Sequence, residues 1–101
     1  MTIKLNTHKK MEITNIQIHP STDQEDRVKA TAEIVLNDTL TLRGLKILQG
    51  RYGLFLAFPV LQPGSPYRMF ETLTMRFRMD LQNQVLKAYH KVMNSPMPLF
   101  G

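Results

Sequence analysis

Eight basic side chains, Arg43, Lys46, Arg51, Arg68, Arg76, Arg78, Lys87 and Lys91, hold most of the chemistry this sequence can offer. They face only Glu71 and Asp80 in the same stretch. Ammonium and guanidinium groups gathered on one surface neutralise phosphates and release their counterions. Arginine can also read base edges through its planar fork, and Arg51, Arg76 and Arg78 are the candidates for that. Other chemistries find less support. His8, His19 and His90 lie far apart, with no partner at metal-ligand spacing, and are expected in solvent. Asp23, Glu25 and Asp26 crowd one polar segment. A wet acidic loop is poor ground for a general acid, and a calcium loop needs more ligands at regular spacing. No glycine-rich phosphate loop and no nucleophile motif is present. The sequence therefore predicts neither an enzyme nor a metal or cofactor site.

The net charge of +5 is unevenly spread: +3 over residues 1–10, −4 over 11–42 and +6 over 43–101. Such asymmetry hints at a polyanionic partner, although a merely solvated basic surface would look the same. The length of 101 residues suits one domain that buries roughly two thirds of its unfolded surface. The absence of cysteine excludes disulfides and thiolate metal sites and fits a reducing cytoplasm. The longest apolar run, Leu54 to Leu61, falls well short of the roughly 20 residues a bilayer requires. The basic start MTIKLNTHKK has no hydrophobic region of the kind a secretory signal carries.

The elements that must position these cations can be read from periodicity. Residues 1–10 look like an extension, with Met11 either internal or the original start. Between Met11 and His19 the apolar phase slips from Ile13 to Ile16, predicting a bulged strand. Pro20 to Asp26 reads as a loop. Val28, Ala30, Ala32, Ile34 and Leu36 alternate with Lys29, Thr31 and Glu33, predicting a half-buried strand. Asn37-Asp38 suits a hairpin turn, since both residues tolerate left-handed angles. Thr39 to Leu42 returns antiparallel, and Gly44 marks a bulge before Leu45 to Leu48. Leu54 to Phe58 follows across the tip Gly50-Arg51-Tyr52-Gly53, and its unbroken apolarity predicts burial on both faces for part of it. Phe55 and Phe58 are expected in the core. Tyr52 and Tyr67, at loop tips, either stack on bases or pack against the sheet edge. Val60 to Tyr67 holds Pro63, Gly64 and Pro66 and is a loop. From Met75 to Met93, Leu81, Val85, Ala88 and Val92 recur at helical spacing, widened by Leu86, Tyr89 and Met93. Thr72 or Thr74 is the expected cap, with strong helicity from about Met79. Residues 94–101, with Pro96 and Pro98, form a tail.

A glycine, two variable residues, Gly-Leu-Phe, a small apolar pair and Pro59 resemble the central signature of the SpoVG family of bacterial regulators. Met11-Glu12-Ile13-Thr14 is similar to that family's start. Leu81-Gln82, Val85-Leu86 and Tyr89 match the spacing of its C-terminal helix. The resemblance spans about Met11 to Val92. It implies a cytoplasmic, homodimeric α+β protein that binds DNA, in some members RNA, and is linked to septation, sporulation and gene regulation. At Val60, Leu61 and Gln62 the chain departs from the family's polar, basic loop.

Together these readings predict an α+β fold: a small antiparallel sheet of four to five strands with a C-terminal helix packed on it, in a domain of residues 11–93. One helix covers only one sheet face and leaves an edge strand bare, which gives a physical motive for a homodimer. The expected partner is DNA, with RNA as a further candidate, and no membrane. The eight cations named above are the expected contacts. A protein-interaction module using Val60-Leu61 is the alternative.

Overall fold

Strand β2, Val28–Leu36, carries the clearest alternation in the chain and becomes a central strand. The computed structural model describes residues 2–3, 11–72 and 74–94. The expected extension and tail lie outside these residues apart from Thr2, Ile3 and Asn94. β1, Ile13–Pro20, β3, Leu40–Gly50, and β4, Gly53–Ala57, join β2 in an antiparallel meander of order β1-β2-β3-β4. Helix α1, Met75–Asn94, follows. The fold is thus α+β with four strands. A fifth strand does not form because the chain runs unbroken from Leu40 to Gly50 through the bend at Gly44.

The core forms on one sheet face. Ala30, Ala32, Ile34 and Leu36 of β2 meet Leu45 and Ile47 of β3, Leu56 of β4 and Phe58 just after it, and α1 lays Leu81, Val85 and Tyr89 on them. Strand periodicity sends the intervening residues to the other face, which no helix covers among the described residues. This open face explains one departure from expectation. Leu56 is fully buried, but Phe55 is only half-buried and stands outside the core cluster. β4 is therefore covered on one face only.

Irregularities in the ladder fall where the pattern slipped. The register shifts between Ile13 and Asn15 of β1. It shifts again opposite Ala32 and Ile34, where Leu42 to Leu45 spans one residue too many and Gly44 takes φ +85°. A methyl group at Gly44 would also touch Pro59 at 3.4 Å. A third shift, between Val28 and Ala30, has no counterpart in the apolar pattern. Asn37 (φ 52°) and Asp38 (φ 50°) make the expected left-handed turn, closed by the Thr39 N–H donating to the Leu36 carbonyl. The turn is also fastened to the start of β1. The Asn37 N–H donates to the Glu12 carbonyl (2.9 Å), and the Glu12 N–H donates to Asn37 Oδ1 (2.7 Å).

α1 begins at Met75, a turn earlier than the helix formers suggest. Thr74 caps it, its Oγ1 accepting the Phe77 N–H at 3.2 Å. Val92 and Met93, expected on the packed face, are exposed. Tyr89 already reaches the β1–β2 loop, where its hydroxyl donates to Gln24 Oε1 at 3.4 Å, so the next turn passes beyond the sheet.

Candidate nucleic-acid interface

The eight predicted cations do not share one surface; the fold sorts them into five places. Arg76, Lys87 and Lys91 are exposed on α1. At 100° per residue, Arg76 and Lys87 lie opposite Val85, and Lys91 lies within about 40° of Lys87. These three side chains thus form an outward stripe about 22 Å long, roughly the rise of 15 helical residues. Asp80 falls on the same face, where Gln84 Nε2 donates to its carboxylate at 3.2 and 3.3 Å.

Arg78 points elsewhere. Its Nη2 donates to the Leu56 carbonyl at 3.0 Å, and its guanidinium lies over the Phe58 ring, 4.4 Å from the centroid. One turn on, Gln82 Oε1 accepts the Leu56 N–H at 3.0 Å. β4 is an edge strand, and two helix side chains close its outer edge at Leu56 in place of a fifth strand. Arg78 is a member of the fold rather than a free cation. Its partner is a backbone group 22 residues away, which no local spacing reveals.

Arg43 and Lys46 belong to the open sheet face. Arg43 Nε lies 3.4 Å from Glu33 Oε1, which His19 Nε2 also approaches at 3.9 Å. Lys46 stands between Thr31 and Ala57 in the ladder. The sheet separates both from the helix stripe. Arg68 lies in the loop after β4, 4.0 Å from Glu71. That loop is folded on itself: Val60 bridges Arg68, the Leu61 N–H donates to the Tyr67 carbonyl, and the Met69 N–H donates to the Pro59 carbonyl. It holds Val60, Leu61, Tyr67 and Met69 out to solvent, Leu61 being 62% exposed.

Arg51 and Tyr52 occupy the β3–β4 tip, closed by the pairing of Gly50 with Gly53. Tyr52 is 96% exposed, so it does not pack against the sheet edge. Directly below, Arg27 Nε donates to the Gln49 carbonyl (3.3 Å) and the Gln49 N–H donates to the Arg27 carbonyl (2.9 Å). Arg27 therefore stands beside Gln49, two residues before Arg51. Sequence reading missed it because it sits in the acidic half of the chain; the antiparallel register that pairs Val28 with Leu48 brings it here. His8 lies outside the described residues, and among those residues no cluster of His, Asp and Glu could hold a metal.

The family model for SpoVG matches residues 11–91. The chain is 31% identical over 87 residues to a protein of Bdellovibrio bacteriovorus, covering 84% of this chain and 79% of that one. It is 41% identical over 83 residues to one of an Anaeromyxobacter species, covering 80% and 84%. It is 33% identical over 87 residues to one of Symbiobacterium thermophilum, where the match covers 84% of this chain but 61% of the relative. Each of these relatives bears the name "Putative septation protein SpoVG". The chain belongs to the SpoVG family.

Proposed function

We propose that this SpoVG-family chain is a non-catalytic, cytoplasmic regulator linked to septation, which binds nucleic acid, chiefly DNA, through phosphate contacts. The observation that carries this reading is the exposed helix stripe of Arg76 and Lys87, opposite the buried Val85 and extended by the exposed Lys91. A row of cations about 22 Å long on one side of a helix suits a phosphate backbone. The names of the relatives support the link to septation. The cytoplasmic assignment draws on the cysteine-free composition, and no helix among the described residues is long and apolar enough to cross a membrane. The test is fluorescence anisotropy on a labelled random-sequence duplex across a salt series. Affinity should fall steeply with salt for the wild type. Arg76→Glu with Lys87→Glu should remove most of the binding at low salt, and unchanged affinity in that variant would refute the stripe.

The same reading includes a homodimer, because the outer edge of β1 has no neighbouring strand and the open face has no cover among the described residues. Light scattering on the eluted protein measures this directly. A second reading, a protein-interaction module, is favoured by one feature: the closed loop that exposes Val60, Leu61, Tyr67 and Met69. Val60→Ser with Leu61→Ser should leave DNA affinity intact and abolish partner binding if that loop serves a protein.

A further inference from the structure

We propose that Tyr52 is a stacking platform for an unpaired base, so that the β3–β4 tip selects single-stranded nucleic acid while the helix stripe serves backbone phosphates. The inference rests on the nucleic-acid reading above and specifies what one part of that surface recognises.

The turn itself does not require tyrosine. Gly50 and Gly53 pair across it, and only Arg51 and Tyr52 lie between them. The special backbone angle of the tip falls on Gly53, at φ +127°. With 96% of its surface in water, the Tyr52 ring contributes almost nothing to the core. A small polar residue would close the same turn without exposing a ring.

The tip that carries the ring is rigidly held. The Phe55 ring lies so close over Gly50 that a methyl group there would sit 2.8 Å from it. Gln49 is joined to Arg27 by two hydrogen bonds, and its Nε2 donates to the Gly50 carbonyl at 3.1 Å. These contacts hold the base of the turn, so little backbone freedom is lost there when a base stacks on the ring. One cation precedes it in the chain and another stands at the strand end below the tip. Arg51 precedes Tyr52, and Arg27 reaches the strand end just below. Arg27 uses only Nε in that contact, which leaves its two terminal amino groups for phosphates. An exposed ring with cations on the same tip and at its base is an arrangement that binds single strands with little sequence preference. A duplex offers no such base face except at its ends, because its bases are already stacked. DNA and RNA single strands share the chemistry, and separate probes distinguish them.

The test compares full-length wild type with Tyr52→Ala, Tyr52→Phe and Arg51→Ala. The probes are fluorescein-labelled oligo-dT, oligo-rU and a DNA duplex of equal length, each titrated at several salt concentrations. Tyr52→Ala should lose at least about fivefold in affinity for both single strands, the lower end of what one stacked base contributes. Its slope against salt should be unchanged, since no phosphate contact is removed. Tyr52→Phe should retain wild-type affinity, and the duplex should not distinguish the three proteins that carry Arg51. Arg51→Ala should instead flatten the salt slope. A loss on only one of the two single strands would assign the site to that polymer. Thermal melting should show Tyr52→Ala as stable as wild type, which excludes misfolding as the cause. Equal single-strand affinity in Tyr52→Ala and wild type would overturn the stacking role while leaving the phosphate reading intact. A loss of equal size on the duplex would overturn it too. Failure of wild type to bind any of the three probes at low salt would overturn both readings.

Discussion

A methyl group at Gly50 would lie 2.8 Å from a ring carbon of Phe55 and 3.2 Å from the Gly53 carbonyl oxygen. Gly50→Ala should therefore destabilise the protein by about 1–3 kcal/mol, the usual range for overpacking. Adding Phe55→Ala should recover part of that loss, a coupling that urea denaturation of the two single variants and the double variant would measure. Asn37 makes a different demand. It needs a left-handed backbone and also lends its amide oxygen to the Glu12 N–H. Asn37→Gly should lose only the second contribution. Asn37→Ala should lose both and be less stable than the glycine variant by about 1 kcal/mol in the same denaturation experiment. At this scale much was legible in the sequence. Asn37-Asp38, Gly44 and the slip between Ile13 and Ile16 all marked backbone events, because each is settled by a residue and its immediate neighbours. Tyr52 was legible as a tip residue but not as a naked one. Its exposure depends on where the closed tip ends relative to the sheet, which residue type and spacing do not reveal.

Between elements, the separation of Arg76 from Arg78 matters most. The two lie two residues apart on one helix and face nearly opposite ways, about 200° around its axis. Arg78→Glu would set a carboxylate against the Leu56 carbonyl and the Phe58 ring. A loss of about 1.5–3 kcal/mol in stability is expected, the range for a hydrogen bond to a charged group. Arg76→Glu, on the wet face, should leave stability within about 0.5 kcal/mol and act on DNA affinity alone. Chemical denaturation and anisotropy on the two single variants would separate these effects, which a double reversal would merge. The helix was legible in its period and in Thr74 as one of two candidate caps. The duty of Arg78 was not, because its partners, Leu56 and Phe58, belong to another element. For the same reason the candidate site was legible as a list of cations but not as a surface. Arg43 and Lys46 belong to one side of a sheet, and Arg76 and Lys87 to the helix packed on the other.

For the molecule as a whole, charge placement sets how binding should respond to salt. Each phosphate contact contributes about −0.9 to the slope of log affinity against log salt on duplex DNA. Removing both Arg76 and Lys87 as alanines should reduce that slope by roughly two, whereas Arg43→Ala, on the far sheet face, should leave it unchanged. Anisotropy titrations at four or five salt concentrations would decide between these outcomes. The architecture also bears on how the chain is made. The strands pair in the order in which they leave the ribosome, but the outer edge of β4 is sealed by Gln82, 26 residues after Leu56. At about 5–20 residues per second, that edge stays bare for roughly one to five seconds in every round of synthesis. A nascent chain halted before Met75 would keep it bare for good. Such truncated products should aggregate with one another while the complete protein stays in solution, which a sedimentation assay on stalled translation products would show.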